Sequence, residues 1–164
     1  MENEVRVNSF ETQMGRTVVA RIRRDTDLVT GLIEVCRSNN IKTGVLEMAI
    51  GSLRSARFCW AVPADNKRGA RRSDLIDVDG PIEFIAGQGI ICVDGEKPMY
   101  HIHGVLTDKD GKSWSGHFFE GGNPIHVTMD VIIREVQGVG IKGIYDEDVD
   151  VVVNVPYPIG ENDK

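Results

Sequence analysis

The sequence is poor in cysteine, and its cysteines do not pair. Cys36, Cys59 and Cys92 lie far apart, which excludes a disulfide framework and a CxxC metal or redox site and fits a reducing compartment. Aromatic residues are sparse, at 6%. No apolar run approaches the roughly 20 residues that a membrane helix needs. The start, Met1-Glu2-Asn3-Glu4, is acidic with no apolar stretch behind it, so it does not read as a secretory signal. A cytoplasmic protein without membrane contact is expected. The P-loop pattern and GxSxG are missing, which leaves P-loop nucleotide-binding and serine-hydrolase readings without support. Gly87-Gln88-Gly89 is a lone GxG inside an apolar run and reads as a bulge or strand bend. There is no internal repeat and no low-complexity segment.

Positive charge is scarce as well. Nineteen Lys and Arg face 25 Asp and Glu, for a net charge of −6. Most of that excess sits after residue 144, where Asp146, Glu147, Asp148, Asp150, Glu161 and Asp163 meet only Lys164. An acidic chain is a poor non-specific binder of phosphate backbone, because counterion release needs clustered Lys and Arg. One basic cluster exists, Lys67, Arg68, Arg71 and Arg72, in a Gly- and Asp-containing stretch that reads as a loop. It is either a solvated loop or a weak nucleic-acid or anion contact.

The 164 residues and 41% hydrophobic content suit a single domain. The expected division is one domain over 1–144 and an acidic C-terminal segment over 145–164. Thr17–Arg23 is strand-like. Asp25 or Thr26 can cap a helix running to about Ser38, with Leu28, Leu32, Val35 and Cys36 on one buried stripe and a stop at Asn39-Asn40. Short strands are expected at Val45–Ile50 and Ala56–Val62, parted by Gly51-Ser52. The loop Pro63–Ser73 follows. Further strands are expected at Ile82–Ile85, Ile90–Val93, Met99–Thr107, Ser113–Phe119 and His126–Val136, with a late one at Val151–Val155. One helix among many short strands with short connections predicts an α+β fold with a mostly antiparallel sheet.

All four histidines fall between positions 101 and 126, three of them on one expected hairpin. Asp108-Lys109-Asp110-Gly111 suits a three-residue loop, a type I turn closed by Gly111 in the left-handed conformation. Asp108 then faces Lys112, Leu106 faces Trp114, Ile102 faces Phe118 and His103 faces His117. His101, His103 and His117 therefore share the face opposite the apolar one. Directly opposed residues place their Cβ atoms about 5 Å apart, close enough for ring nitrogens to converge on one cation. The alternatives are polar histidines on an exposed sheet face or a structural contact between copies of the chain. Imidazoles favour zinc-like ions over Mg²⁺ or Ca²⁺, and ligation should weaken as pH drops through about 6.5. The relation of His126 to this group stays open.

The stretches Gly80-Pro81-Ile82-Glu83-Phe84, His101-Ile102-His103, Asp110-Gly111, Gly116-His117 and Val127–Glu135 resemble the plant-and-prokaryote-conserved (PPC) domain family. Ala20-Arg21-Ile22-Arg23, the helix from Asp25 and Gly51-Ser52-Leu53-Arg54-Ser55-Ala56 match its first half, so the resemblance runs from about Val18 to Glu135. It implies an α+β domain, a homotrimer and a DNA-binding or regulatory role. In plants the domain follows a basic Arg-Gly-Arg-Pro element, which this sequence lacks. A more distant resemblance is to acetolactate decarboxylase, whose HxH and third histidine hold zinc. That likeness implies His101, His103 and His117 as Zn²⁺ ligands, with Glu83, Arg54 and Glu120 as nearby charges. Two functions are thus expected to compete: a trimeric binding protein with weak DNA affinity, and a zinc-dependent lyase or hydrolase for a small carboxylated or ester substrate. No catalytic residue is assigned.

Overall fold

Strand alternation and one amphipathic helix dominate the computed structural model, which describes residues 7–95 and 97–159. Met1–Glu4 and the tail residues Glu161, Asp163 and Lys164 lie outside the described residues. In chain order the elements are β1 (Gln13–Arg23), α1 (Leu28–Ser38), β2 (Thr43–Cys59), β3 (Ala61–Pro63), β4 (Ala70–Arg72), β5 (Ile76–Cys92), β6 (Met99–Thr107), β7 (Ser113–Phe118), β8 (Ile125–Gln137), β9 (Val139–Asp146) and β10 (Val151–Pro158). Six strands form one antiparallel sheet in the order β1-β8-β2-β5-β6-β7. The expected α+β class holds.

The sheet curls back on itself. β2 pairs with β5 along most of its length, and its last residues also pair with β7, Phe58 opposite Phe118 and Cys59 opposite His117. The strands β2, β5, β6 and β7 thereby close a ring. Its interior holds Phe58, Phe84 and Phe118, all buried. Phe58 stacks on Phe118 at 5.5 Å between centroids, and Phe84 meets Phe118 edge-on at 5.4 Å, both favoured aromatic arrangements.

The helix covers the other end of the core. Leu28, Leu32 and Cys36 are fully buried as expected, Val35 is only half-buried, and Val29 and Ile33 widen the apolar stripe. Its cap corrects the expected one. Asp27, not Asp25 or Thr26, accepts from the amides of Val29 at 3.0 Å and Thr30 at 3.2 Å. Asp25 instead sits in a left-handed turn at φ 70°. Asn39 closes the helix, with Asn40 left-handed behind it at φ 53°.

Four further expectations are corrected. The two strands foreseen around Gly51-Ser52 are one, because β2 is paired on both flanks there, Gly51 lying between Phe84 and Met129. Ile82–Ile85 and Ile90–Val93 are likewise one strand, β5, with its irregularity against β6 between Phe84 and Ala86. The loop Pro63–Ser73 carries β4, which folds back on β3 to make a ribbon. β9 was not foreseen. It pairs with β10, and the 144/145 boundary falls inside it. Among the described residues, no helix is long and apolar enough to cross a membrane.

Candidate metal centre

The β6–β7 hairpin has the register that its turn chemistry dictates. His103 faces His117, Leu106 faces Trp114 and Thr107 faces Ser113. The Asp108 amide donates to the Lys112 carbonyl at 3.0 Å, and Gly111 takes the left-handed conformation at φ 80° that the turn requires. Alternation then turns Ile102, Leu106 and Phe118 into the core and the three histidines to the opposite face.

On that face the ring nitrogens converge. His103 Nε2 stands 2.9 Å from His101 Nε2 and 3.3 Å from His117 Nδ1, and one donor atom from each ring lies within 4.8 Å of the other two. Nitrogens at opposite corners of a tetrahedral zinc site, with Zn–N near 2.0–2.1 Å, are about 3.3 Å apart. The three imidazoles thus fit one small cation and leave a coordination position free. His126 stands apart on β8, half-buried, its Nδ1 without a hydrogen-bond partner in the structure.

Two of the rings, His101 and His117, are also held in the protonation state that ligation needs. Burial, then the proximity of Arg72, His101 and His103, holds His117 down to about 4. Burial, His103 and Arg72 lower His101 as well. Both rings are therefore neutral at neutral pH. For these two rings, proton competition starts below the ordinary imidazole value expected from sequence.

An open cavity of about 1210 Å³ lies over the cluster. Its walls come from distant parts of the chain: the β3–β4 ribbon with Arg68, Arg71 and Arg72, the β10 residues Val151–Asn154, and Lys97 before β6. Three of the four residues of the basic cluster thus border the histidines. The fourth, Lys67, donates from Nζ to the Glu147 carbonyl, joining the tip of the β3–β4 ribbon to the β9–β10 turn. Sequence reasoning did not foresee this meeting of arginines and histidines, which depends on β2 carrying the ribbon past the end of β7.

The charged residues suggested by the decarboxylase likeness are elsewhere. Arg54 pairs with Asp25 at 3.0 Å, Glu120 accepts from the Thr30 hydroxyl at 3.0 Å, and Glu83 lies opposite Thr107 at the far end of β6. None of the three lines the cavity. Cys59 does, as the cross-strand partner of His117, but burial raises its thiol pKa and keeps it protonated. Cys36 is in the core with its thiol pushed up to about 12.

Residues 9–137 match the Plants and Prokaryotes Conserved (PCC) domain, the family also written PPC. The chain belongs to the PCC domain family. Two solved structures share this PCC fold. A metal-containing protein from Archaeoglobus fulgidus is 24% identical with a TM-score of 0.72, the match covering 90% of this chain and 98% of that one. A plant- and prokaryote-conserved protein from Pyrococcus horikoshii is 21% identical with a TM-score of 0.69, covering 89% and 96%. A curated relative, the bifunctional protein GlmU of Synechococcus sp. (strain JA-3-3Ab), is 25% identical over 120 residues, 73% of this chain. The chain spans only 17% of that relative's length.

Proposed function

We propose that this PCC domain is a metalloprotein in which His101, His103 and His117 hold one divalent transition ion, zinc foremost. The observation that carries this reading is the convergence of three ring nitrogens, 2.9 and 3.3 Å apart, on a face whose burial keeps His101 and His117 neutral. Three imidazoles suit Zn²⁺, Ni²⁺, Cu²⁺ or Fe²⁺ and disfavour the oxygen-seeking Mg²⁺ and Ca²⁺. The metal content of the Archaeoglobus relative agrees with it. The test is metal content of wild type against His103→Ala, both purified without a nickel column or added metal. One ion per chain in wild type and its loss in the variant are expected. Equal stoichiometry in both, or none in either after zinc is supplied at neutral pH, overturns the reading.

The zinc-dependent lyase or hydrolase is the weaker alternative. An ion with an open position polarises a carbonyl or brings bound water to a pKa of about 7. Among the described residues, however, no carboxylate lines the cavity to act as general base. Binding is therefore favoured over acid–base catalysis.

The same reading includes self-association as a homotrimer, which the family resemblance implies. Val19, Ile50, Ile85 and Val105 are 43–76% exposed, and the sheet leaves them without cover. Light scattering is expected to give three times the 18.1 kDa of one chain, and a monomer mass at micromolar concentration would reject the trimer. DNA binding is expected to be weak and non-specific, because Arg68, Arg71 and Arg72 border the cavity and the chain is acidic overall. Nanomolar, sequence-selective retention near physiological salt would overturn that expectation.

A further inference from the structure

The cavity over the histidines has a charge opposite to that of the chain. Among the described residues, its lining includes Arg68, Arg71, Arg72 and Lys97 but no Asp or Glu, although acids outnumber bases in the sequence. Most arginines elsewhere on the sheet are paired. Arg16 meets Glu135 at 3.1 Å, Arg57 meets Asp77 at 2.7 Å and Arg134 meets Glu47 at 2.9 Å. Arg71 approaches Asp74 at 3.8 Å. Arg68, Arg72 and Lys97 have no carboxylate partner among the described residues. A guanidinium set into a concave wall without a counter-charge is a ready site for a carboxylate or phosphate, to which its planar fork can donate two hydrogen bonds.

Arg72 is also held in place. Its Cζ lies 5.2 Å from the Phe119 ring centre, and that ring packs on His117 at 4.7 Å. This relay keeps the guanidinium beside the cluster. Trp60 and Phe119 supply an apolar wall for the body of a ligand.

We infer that the cavity binds a small organic anion with an apolar body, its carboxylate or phosphate group held by Arg72 and its neighbours and directed at the open position of the metal. The last clause rests on the metal reading above; recognition by Arg72 does not. The two possible acid groups share one chemistry, and the choice between them is read from the probes.

The experiment is calorimetric titration of phenylphosphonate, benzoate and uncharged benzyl alcohol into zinc-loaded protein, zinc-free protein and the variants Arg72→Gln, Arg72→Lys and Arg68→Gln. Saturable binding of at least one anion and none of benzyl alcohol are expected. Arg72→Gln should weaken binding about tenfold or more while zinc remains at one per chain, and Arg72→Lys should restore part of it. The stronger of the two anions identifies the acid group. If zinc does not bind but Arg72-dependent anion binding persists, the metal reading fails and the basic site stands. If zinc binds and neither anion does, or Arg72→Gln and Arg68→Gln both bind as wild type, the anion site is refuted and the metal reading is untouched. Circular dichroism checks that the variants are folded. Both arginine side chains lie outside the core, so a wild-type spectrum is expected.

Discussion

The Trp114 indole N–H donates to Asp108 Oδ2 at 2.8 Å, tying the strand after the turn to the residue that begins it. The other oxygen of the same carboxylate accepts from the amides of Asp110 at 3.0 Å and Lys112 at 2.9 Å. One side chain therefore organises the turn that sets His103 opposite His117.

Asp108→Ala should loosen that turn, lowering both the unfolding midpoint and zinc affinity without removing a ligand. The bond from Trp114, then that from Lys112, holds the Asp108 carboxyl below the usual carboxylate range. A carboxylate whose folded pKa is depressed contributes stability that is present above its unfolded pKa and lost as pH falls through the folded value. The gap in urea midpoint between wild type and variant should thus be full at pH 7 and shrink in strong acid. A gap independent of pH would show that the carboxylate's charge is not what matters.

Gly104 offers a test of the aromatic floor beneath the histidines. A Cβ there would stand 2.5 Å from Phe84 and 3.1 Å from Phe118. Gly104→Ala should cost about 1–3 kcal/mol, the usual range for overpacking a filled core. Chemical denaturation measures it, and a neutral substitution would mean that the Phe84 ring has room to move.

Asp27 serves two elements at once. Besides capping α1, it accepts from the Asn123 amide through Oδ2 at 3.0 Å, pinning the segment before β8 to the helix start. Asp27→Ala should cost about 1–2 kcal/mol, the upper half of the usual range for losing a cap. Asp25→Ala should cost less, since Asp25 pairs only with exposed arginines. Equal losses would contradict the assignment of the cap to Asp27.

His126→Ala should leave metal content unchanged while His103→Ala abolishes it. His126 is outside the nitrogen cluster, and its buried Nδ1 makes no hydrogen bond in the structure. Metal analysis of both variants separates a three-histidine site from one that recruits the fourth.

The histidine geometry was legible in the sequence because the decisive information is local. Asp108 and Gly111 specify the turn, the turn specifies the register, and the alternation of Ile102, Leu106 and Phe118 confirms it. The cap at Asp27 was missed because Asp25, Thr26 and Asp27 are all good capping residues, and the choice rests on the distant contact with Asn123. Continuity of β2 through Gly51-Ser52 was hidden for the same reason, since pairing on both flanks overrides a local break. The arginine-lined wall was out of reach entirely. Nothing near Arg72 in sequence announces Phe119 or His117 as neighbours.

The alternation along β6 has a consequence for how such a domain can diversify. Its even-numbered residues Ile102, Gly104 and Leu106 are committed to the interior, while His101, His103 and Val105 face out. Selection can act on one set without disturbing the other. A lineage that exchanges an outward residue changes what the cavity meets and leaves the aromatic ring beneath it filled. The same scaffold can therefore accept exchanges at outward positions of β6 one at a time without repacking its core.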